Sequence, residues 1–303
     1  MQEIKTGKLI HENSQIWQEP SDNLKIEKIR QRLEEGILRI LGPCAAQSEE
    51  QAVAILNAIR EKSDFERASG VKPRTDRFTL EGEMGYAGVG IPKALEIYKK
   101  INELNTGVGI ATEIMSGDHL KAQASEIELA WIGSRTQDQF LLESIGRAAV
   151  ETQTPLMIKN AMIPDVQFDI GRINNVIYGI NKASKELGLP PVPVMFCLRG
   201  NHPGKEDSEF RNVPNWEMID IIKKAYPDLP IIIDPSHIFN KDEEGKINPE
   251  AVLQLLIDAF NRKSDYKPDG YMVEVYHEDH PSVTDPGVEV QAILKLLAEN
   301  GLS

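Results

Sequence analysis

The sequence predicts an α/β protein, a closed (β/α)8 TIM barrel preceded by a short N-terminal extension. Three observations predict it. Eight short apolar runs alternate with amphipathic stretches of helical period. Several of the runs are β-branched and almost unbroken, as strands buried on both faces of a parallel sheet must be. The length, 303 residues, suits one barrel without a second domain. A doubly wound open sheet is the competing fold, but no G-x-G-x-x-G turn follows the first strand to support a dinucleotide-binding version of it.

Residues 1–36 precede the first strand, with a helix expected near 23–35 (NLKIEKIRQRLEE). A segment this short cannot build its own core, so it is expected to pack on the barrel or on another subunit of a homo-oligomer. The catalytic barrel then spans 37–303. Its expected strands are ILRILGP (37–43), SGVKP (69–73), GVGIATEI (107–114), ELAWIGS (128–134), PLMIKN (155–160), PVMFCLRG (193–200), PIIIDPS (230–236) and GYMVEVY (270–276). Helical period marks 48–62, 91–105, 138–151, 248–263 and 287–300.

Composition narrows the function without naming it. There are 34 basic against 47 acidic residues, a net charge of −13, which argues against a nucleic-acid partner because phosphate backbones require broad basic surfaces. Small anionic substrates stay open, since a few cations in a cleft focus the field locally. No run is apolar enough to span a membrane, and the first residues lack the apolar core of an export signal. With two cysteines, Cys44 and Cys197, no disulfide framework is available, and a cytoplasmic location is expected.

The chemistry gathers where the strands end. Carboxyl ends of parallel barrel strands share one face, and Cys44, Lys72, Arg74, Thr75, Glu113, Arg135, Lys159, Arg199, His237 and Glu274 all fall there. The cations Lys72, Arg74, Arg135, Lys159 and Arg199 would repel one another without bound anions, so the mouth is expected to hold a ligand carrying several anionic groups. Any one of them alone reads as a surface salt bridge. Cys44, His237, Glu274 and Asp285 form a second set. A lone cysteine on an apolar strand is ordinarily packing. Joined by an imidazole and two carboxylates it becomes a shell for a divalent transition ion such as Mn, Fe, Co or Zn. His277 and His280 read as exposed loop histidines, Cys197 as a buried packing residue, and Trp17, Trp131 and Trp216 as packing anchors with a polar handle.

These residues carry a family resemblance. GPCAAQS (42–48), VKPRT (71–75), WIGSRT (131–136), MIKN (157–160), LRG (198–200), DPSH (234–237) and MVEV–SVTD (272–285) resemble the class I 3-deoxy-arabino-heptulosonate 7-phosphate (DAHP) synthases, in the family's order. RNVPNW–YPDLPIIIDPSH resembles the branch often fused to chorismate mutase.

The resemblance implies condensation of phosphoenolpyruvate with erythrose 4-phosphate, the first step of aromatic amino-acid biosynthesis. Cys44, His237, Glu274 and Asp285 match the metal ligands. Arg74, Arg135, Lys159 and Arg199 match the phosphoenolpyruvate site. Lys72, Arg74 and Thr75 line the approach of the aldose phosphate, with Lys72 and Glu113 near the reacting atoms.

Lys72 is the candidate proton donor, its pKa lowered by Arg74 and Arg77; the alternative is that it only binds charge. Leu198 stands where the family usually has glutamate or histidine, Asn201-His202 replaces the usual residues after Arg-Gly, and Tyr276 replaces a histidine. These departures keep two alternatives in view: a related phosphoenolpyruvate-dependent synthase using another aldose phosphate, and a non-catalytic regulatory paralogue. A separate chorismate mutase is the regulatory partner to consider.

Overall fold

The computed structural model describes residues 7–72, 88–204, 210–240, 246–282 and 287–302. Eight parallel strands form the barrel: β1 Leu38–Gly42, β2 Phe65–Arg67, β3 Gly109–Ile114, β4 Leu129–Ile132, β5 Leu156–Lys159, β6 Val194–Leu198, β7 Ile231–Ile233 and β8 Gly270–Tyr276. They hydrogen-bond in chain order, and β8 closes on β1 from Leu38↔Gly270 to Gly42↔Glu274. The expected (β/α)8 architecture is the observed one.

Helices α1 Lys8–Ser14 and α2 Leu24–Glu35 precede the barrel. The outer layer is α3 Glu49–Ile59, α4 Ile91–Glu103, α5 Gly117–Gln123, α6 Gln139–Thr152, α7 Val166–Leu187, α8 Glu217–Ala225, α9 Pro249–Phe260 and α10 Val290–Glu299. Their starts are fixed by local chemistry: Asn23, Ser48, Ser116, Asp138, Asp165 and Asn248 each cap a helix by accepting from backbone N–H groups of the first turn. Among the described residues no helix is long and apolar enough to cross a membrane.

Two boundaries differ from expectation. The second strand is Phe65–Arg67, not 69–73, because Asp64-Phe-Glu-Arg is too charged to read as an apolar run, yet Glu66 and Arg67 are fully buried. The expected helix over 287–300 begins with a two-residue strand, β9 Val288–Glu289, paired with Val275 and Tyr276 at the end of β8.

The extension lies under the barrel. Trp17 Nε1 donates to the Val194 carbonyl (2.9 Å), Asn13 exchanges hydrogen bonds with Val192 and Val194, and Lys25 Nζ reaches the Ala124 carbonyl. These contacts lie at or before the amino ends of β4 and β6, opposite the chemistry. Ile10, Trp17, Ile26 and Ile29 are buried there, and removing their apolar surface from water holds the extension to the barrel.

Candidate active site

At the opposite face, side chains of one strand hold the backbone of the next. Ser69 Oγ, after β2, accepts the N–H of Glu113 (3.1 Å) on β3. Asn160 Oδ1, after β5, accepts the N–H of Arg199 (2.7 Å) at the end of β6. Ser236 Oγ, after β7, accepts the N–H of Glu274 (2.8 Å) on β8. Each fixes the position of a residue in the expected site, and each satisfies a backbone donor that water could not reach.

Inside the ring the charges are paired. Arg67 Nη2 donates to Glu274 Oε1 (2.7 Å), its Nη1 lies 3.9 Å from Asp234 Oδ2, and its Nε donates to the Pro43 carbonyl beside Cys44. Lys159 Nζ donates to Asp234 Oδ2 (2.6 Å) and Lys72 Nζ to Glu113 Oε2 (3.1 Å). Arg67 and Lys159 stand 5.2 and 5.4 Å from the Trp131 ring, within cation–π range. Two of the five cations expected to need bound anions are therefore already offset by protein carboxylates.

Glycines admit the crowding. A Cβ on Gly42 would lie 2.3 Å from the Arg67 carbonyl oxygen, with φ at +152°. One on Gly133 would lie 2.3 Å from Glu113 Oε1. The glycines of the GPC and GSR stretches thus clear space for Arg67 and for the Glu113 carboxylate.

The environment sets the protonation states. Burial disfavours the Lys72 ammonium, but the charges of Cys44, Glu113 and Glu274 outweigh it and raise its pKa. The expected lowering by neighbouring arginines is thus reversed, because anionic groups, Cys44 first and then Glu113 and Glu274, outweigh burial around this lysine. Burial pushes Glu113 up, yet Lys72 and Lys159 pull it below its ordinary value. Burial holds the Arg199 guanidinium below its usual value; Asp234 and Glu274 oppose this, while Arg211 and Arg135 add like-charge repulsion. Arg199 is buried, and Arg135 is exposed.

Of the expected metal ligands, two are brought together: His237 Nε2 lies 3.6 Å from Glu274 Oε1. Its Nδ1 is 3.6 Å from Asp234 Oδ1. Burial lowers the His237 pKa, so the imidazole is neutral and keeps a lone pair to donate. Cys44 is buried at the end of β1 and adds to the charge felt by Lys72. A thiolate, a neutral imidazole and carboxylates fit a divalent transition ion. Among the described residues no three such side chains are gathered closely enough to hold one. The expected fourth ligand, Asp285, lies outside the described residues, as do Arg74, Thr75 and Arg77.

A model of the DAHP synthetase I family matches residues 21–296. The chain belongs to that family. Two solved structures share its fold: the phospho-2-dehydro-3-deoxyheptonate aldolase (DAHP synthase) of Thermotoga maritima and a truncated form of 3-deoxy-D-arabino-heptulosonate 7-phosphate synthase from the same organism. The first is 21% identical with a TM-score of 0.69, over 88% of this chain and 69% of the other. The second is 20% identical with a TM-score of 0.63, over 88% and 86%. No curated protein matches the chain.

Two of the departures from the family pattern, Leu198 and Asn201, are taken up in packing and loop contacts. Strand alternation turns Leu198 to the side opposite Cys197 and Arg199, where it is fully buried. Asn201 is tied up between loops, donating to the Ala161 and Ile163 carbonyls and accepting from Asn215. His277 and His280 are half-buried and form an isolated antiparallel bridge, not an exposed pair. Cys197 packs in the core as expected. Trp17 uses its polar handle, whereas Trp216 Nε1 has no partner among the described residues.

Sequence reasoning passed over Arg67, the site role of Asp234, and Trp131 as a seat for two cations. A usable signal for Arg67 was present: a strand of three residues carrying two charges must place one of them inside the barrel.

Proposed function

We propose that the chain joins phosphoenolpyruvate to erythrose 4-phosphate with water, giving 3-deoxy-D-arabino-heptulosonate 7-phosphate and phosphate. The observation that carries this is the pairing, in one barrel mouth, of a buried cation group (Lys159, Arg199 and, at its rim, Arg135) with the His237–Glu274 donor pair. Family membership supports the same reaction class.

In this reading Arg135, Lys159 and Arg199 hold the phosphate and carboxylate of phosphoenolpyruvate and fix its reactive face against the aldehyde, which lowers the entropic cost of encounter. The C2–C3 π pair forms the new bond to the aldehyde carbon, and the aldehyde oxygen takes up a proton. Lys72 is charged at neutral pH and carries that proton. Its raised pKa makes it a weak acid, but an alkoxide is a stronger base, so transfer is downhill. Glu113 holds the ammonium at 3.1 Å and stabilises it until transfer. Water adds at C2 and gives up both its protons, one restoring the Lys72 ammonium and the other leaving with phosphate as the C2–O bond to phosphate breaks and the ketone forms. A divalent transition ion (Mn, Fe, Co or Zn), held by Cys44, His237, Glu274 and Asp285, would polarise the aldehyde oxygen or lower the pKa of a bound water. Leu198 and Asn201 are engaged elsewhere, so neither favours a different aldose.

The test is phosphate release from phosphoenolpyruvate with a panel of four- and five-carbon aldose phosphates, before and after chelation. Release with erythrose 4-phosphate, lost on chelation and restored by a divalent ion, is expected. Release with another sugar only, or with no sugar at all, would overturn the reading. Full turnover by metal-free Cys44→Ala would overturn the ligand set.

A further inference from the structure

We infer that Arg172, on α7 outside the barrel, is a positioning residue that sets where Arg135 and Lys159 stand at the mouth; the inference rests on the reading of those two cations as phosphoenolpyruvate ligands. The side chain is 2% exposed. Its donors address the backbone of two strand-end loops. Nη2 donates to the carbonyls of Gly133 (3.1 Å) and Thr136 (2.9 Å), and Nε also reaches Thr136 (3.2 Å). Nη1 donates to the carbonyl of Lys159 (2.7 Å).

The two residues on which Arg172 closes, Gly133 and Thr136, bracket Ser134 and Arg135. The third carbonyl belongs to Lys159 itself. A single rigid fork thus spans the carboxyl ends of β4 and β5 and fixes their separation. Asp169, one helical turn earlier, completes the clamp. Its Oδ1 accepts from Arg172 Nη1 (3.0 Å) and from the N–H of Ala161 (2.7 Å), two residues beyond Lys159.

The residue type fits the task. Guanidinium offers five N–H groups in a fixed plane, enough for three carbonyls and a carboxylate at once. Lysine has three donors on one nitrogen and cannot span the two loops. A helix facing a sheet would be covered as well by leucine, and a buried ion pair is seldom a gain in stability over apolar packing. What leucine cannot supply is a fixed backbone at both loops. Buried and committed to the loop backbone and Asp169, Arg172 acts through the geometry of Arg135 and Lys159.

The test compares full-length wild type, Arg172→Lys and Arg172→Met. Phosphoenolpyruvate binding is measured by calorimetry with manganese present, the Michaelis constant for erythrose 4-phosphate by phosphate release, and folding by circular dichroism. Wild type should bind phosphoenolpyruvate. Arg172→Met should bind it at least tenfold more weakly and Arg172→Lys by an intermediate factor, with the aldose constant within twofold of wild type in both. No binding by wild type would overturn the reading of the site and the inference with it. Wild-type binding that both variants match would overturn the inference alone. So would equal losses for the two substrates, or failure of Arg172→Lys to fold, which would make the pair part of the architecture only.

Discussion

Replacing Arg67 by methionine tests whether the interior of this barrel is held by ion pairing. Arg67 is 1% exposed and Glu274 fully buried, and 2.7 Å separates their closest atoms. Methionine keeps much of the apolar volume but leaves the Glu274 carboxylate without the guanidinium that offsets its burial. Asp234 is less affected, because Lys159 still donates to it at 2.6 Å. Removing one partner of a buried pair typically costs about 3–5 kcal/mol, most of it the penalty of the charge left behind. Loss of the cation–π contact with Trp131 adds about 0.5–2 kcal/mol. Against a total stability of about 5–15 kcal/mol, this is a large fraction. Urea unfolding in the presence of chelator, followed by circular dichroism, measures it. The decisive comparison is the double variant Arg67→Met/Glu274→Gln. With both charges gone the penalty should largely disappear, so the double variant should be more stable than Arg67→Met alone, with a coupling energy of at least about 2 kcal/mol. A loss below about 1 kcal/mol in the single variant, or simple additivity in the double, would refute the argument.

Three further outcomes are expected. Gly133→Ala should drive a Cβ to 2.3 Å from Glu113 Oε1, pushing the carboxylate off Lys72; turnover should fall at least about tenfold while overpacking costs about 1–3 kcal/mol, and unchanged turnover would show that Glu113 is not needed where it stands. Arg135→Ala should raise the Michaelis constant for phosphoenolpyruvate about tenfold to a hundredfold, as loss of a charge-assisted contact of about 1.5–3 kcal/mol requires; an equal rise for the aldose phosphate would place Arg135 at the wrong end of the site. Asp169 is pushed by burial from 3.8 up to about 6, so between those values the native state holds a proton that the unfolded chain has released. Its contribution to stability therefore falls as pH rises through that window, by up to about 3 kcal/mol. In Asp169→Asn that slope is absent, so stability relative to wild type should improve from pH 4 to pH 6, and a constant difference across the window would contradict it.

What could be read in the sequence, and what could not, follows from how each signal is encoded. Seven of the eight strands carry apolar runs, several of them β-branched, and those runs survive in sequence because both faces of each strand are buried. The second strand fails that test. Phe65-Glu-Arg places Arg67 in the barrel interior, and its partners Glu274 and Asp234 arrive from strands at the other end of the chain. Charge that is offset over such separations looks like surface charge when the sequence is read locally. The same blindness produced the wrong sign for Lys72: the nearby arginines are visible in sequence, whereas the offsetting charges of Cys44, Glu113 and Glu274 come from three different strand ends. Motif residues were legible as a ring because strand ends in a parallel barrel must share a face. Their pairing was not, because nothing in a one-dimensional order says which cation meets which carboxylate. Arg172 is the limiting case. It sits mid-helix in DIGRINN, where an arginine reads as solvated, and only the closed barrel turns it inward onto the backbone of Gly133, Thr136 and Lys159. The residues expected to bind are announced by motifs at the ends of strands, while the buried charges packed behind them are dispersed through the helices and the interior, where local sequence does not mark them.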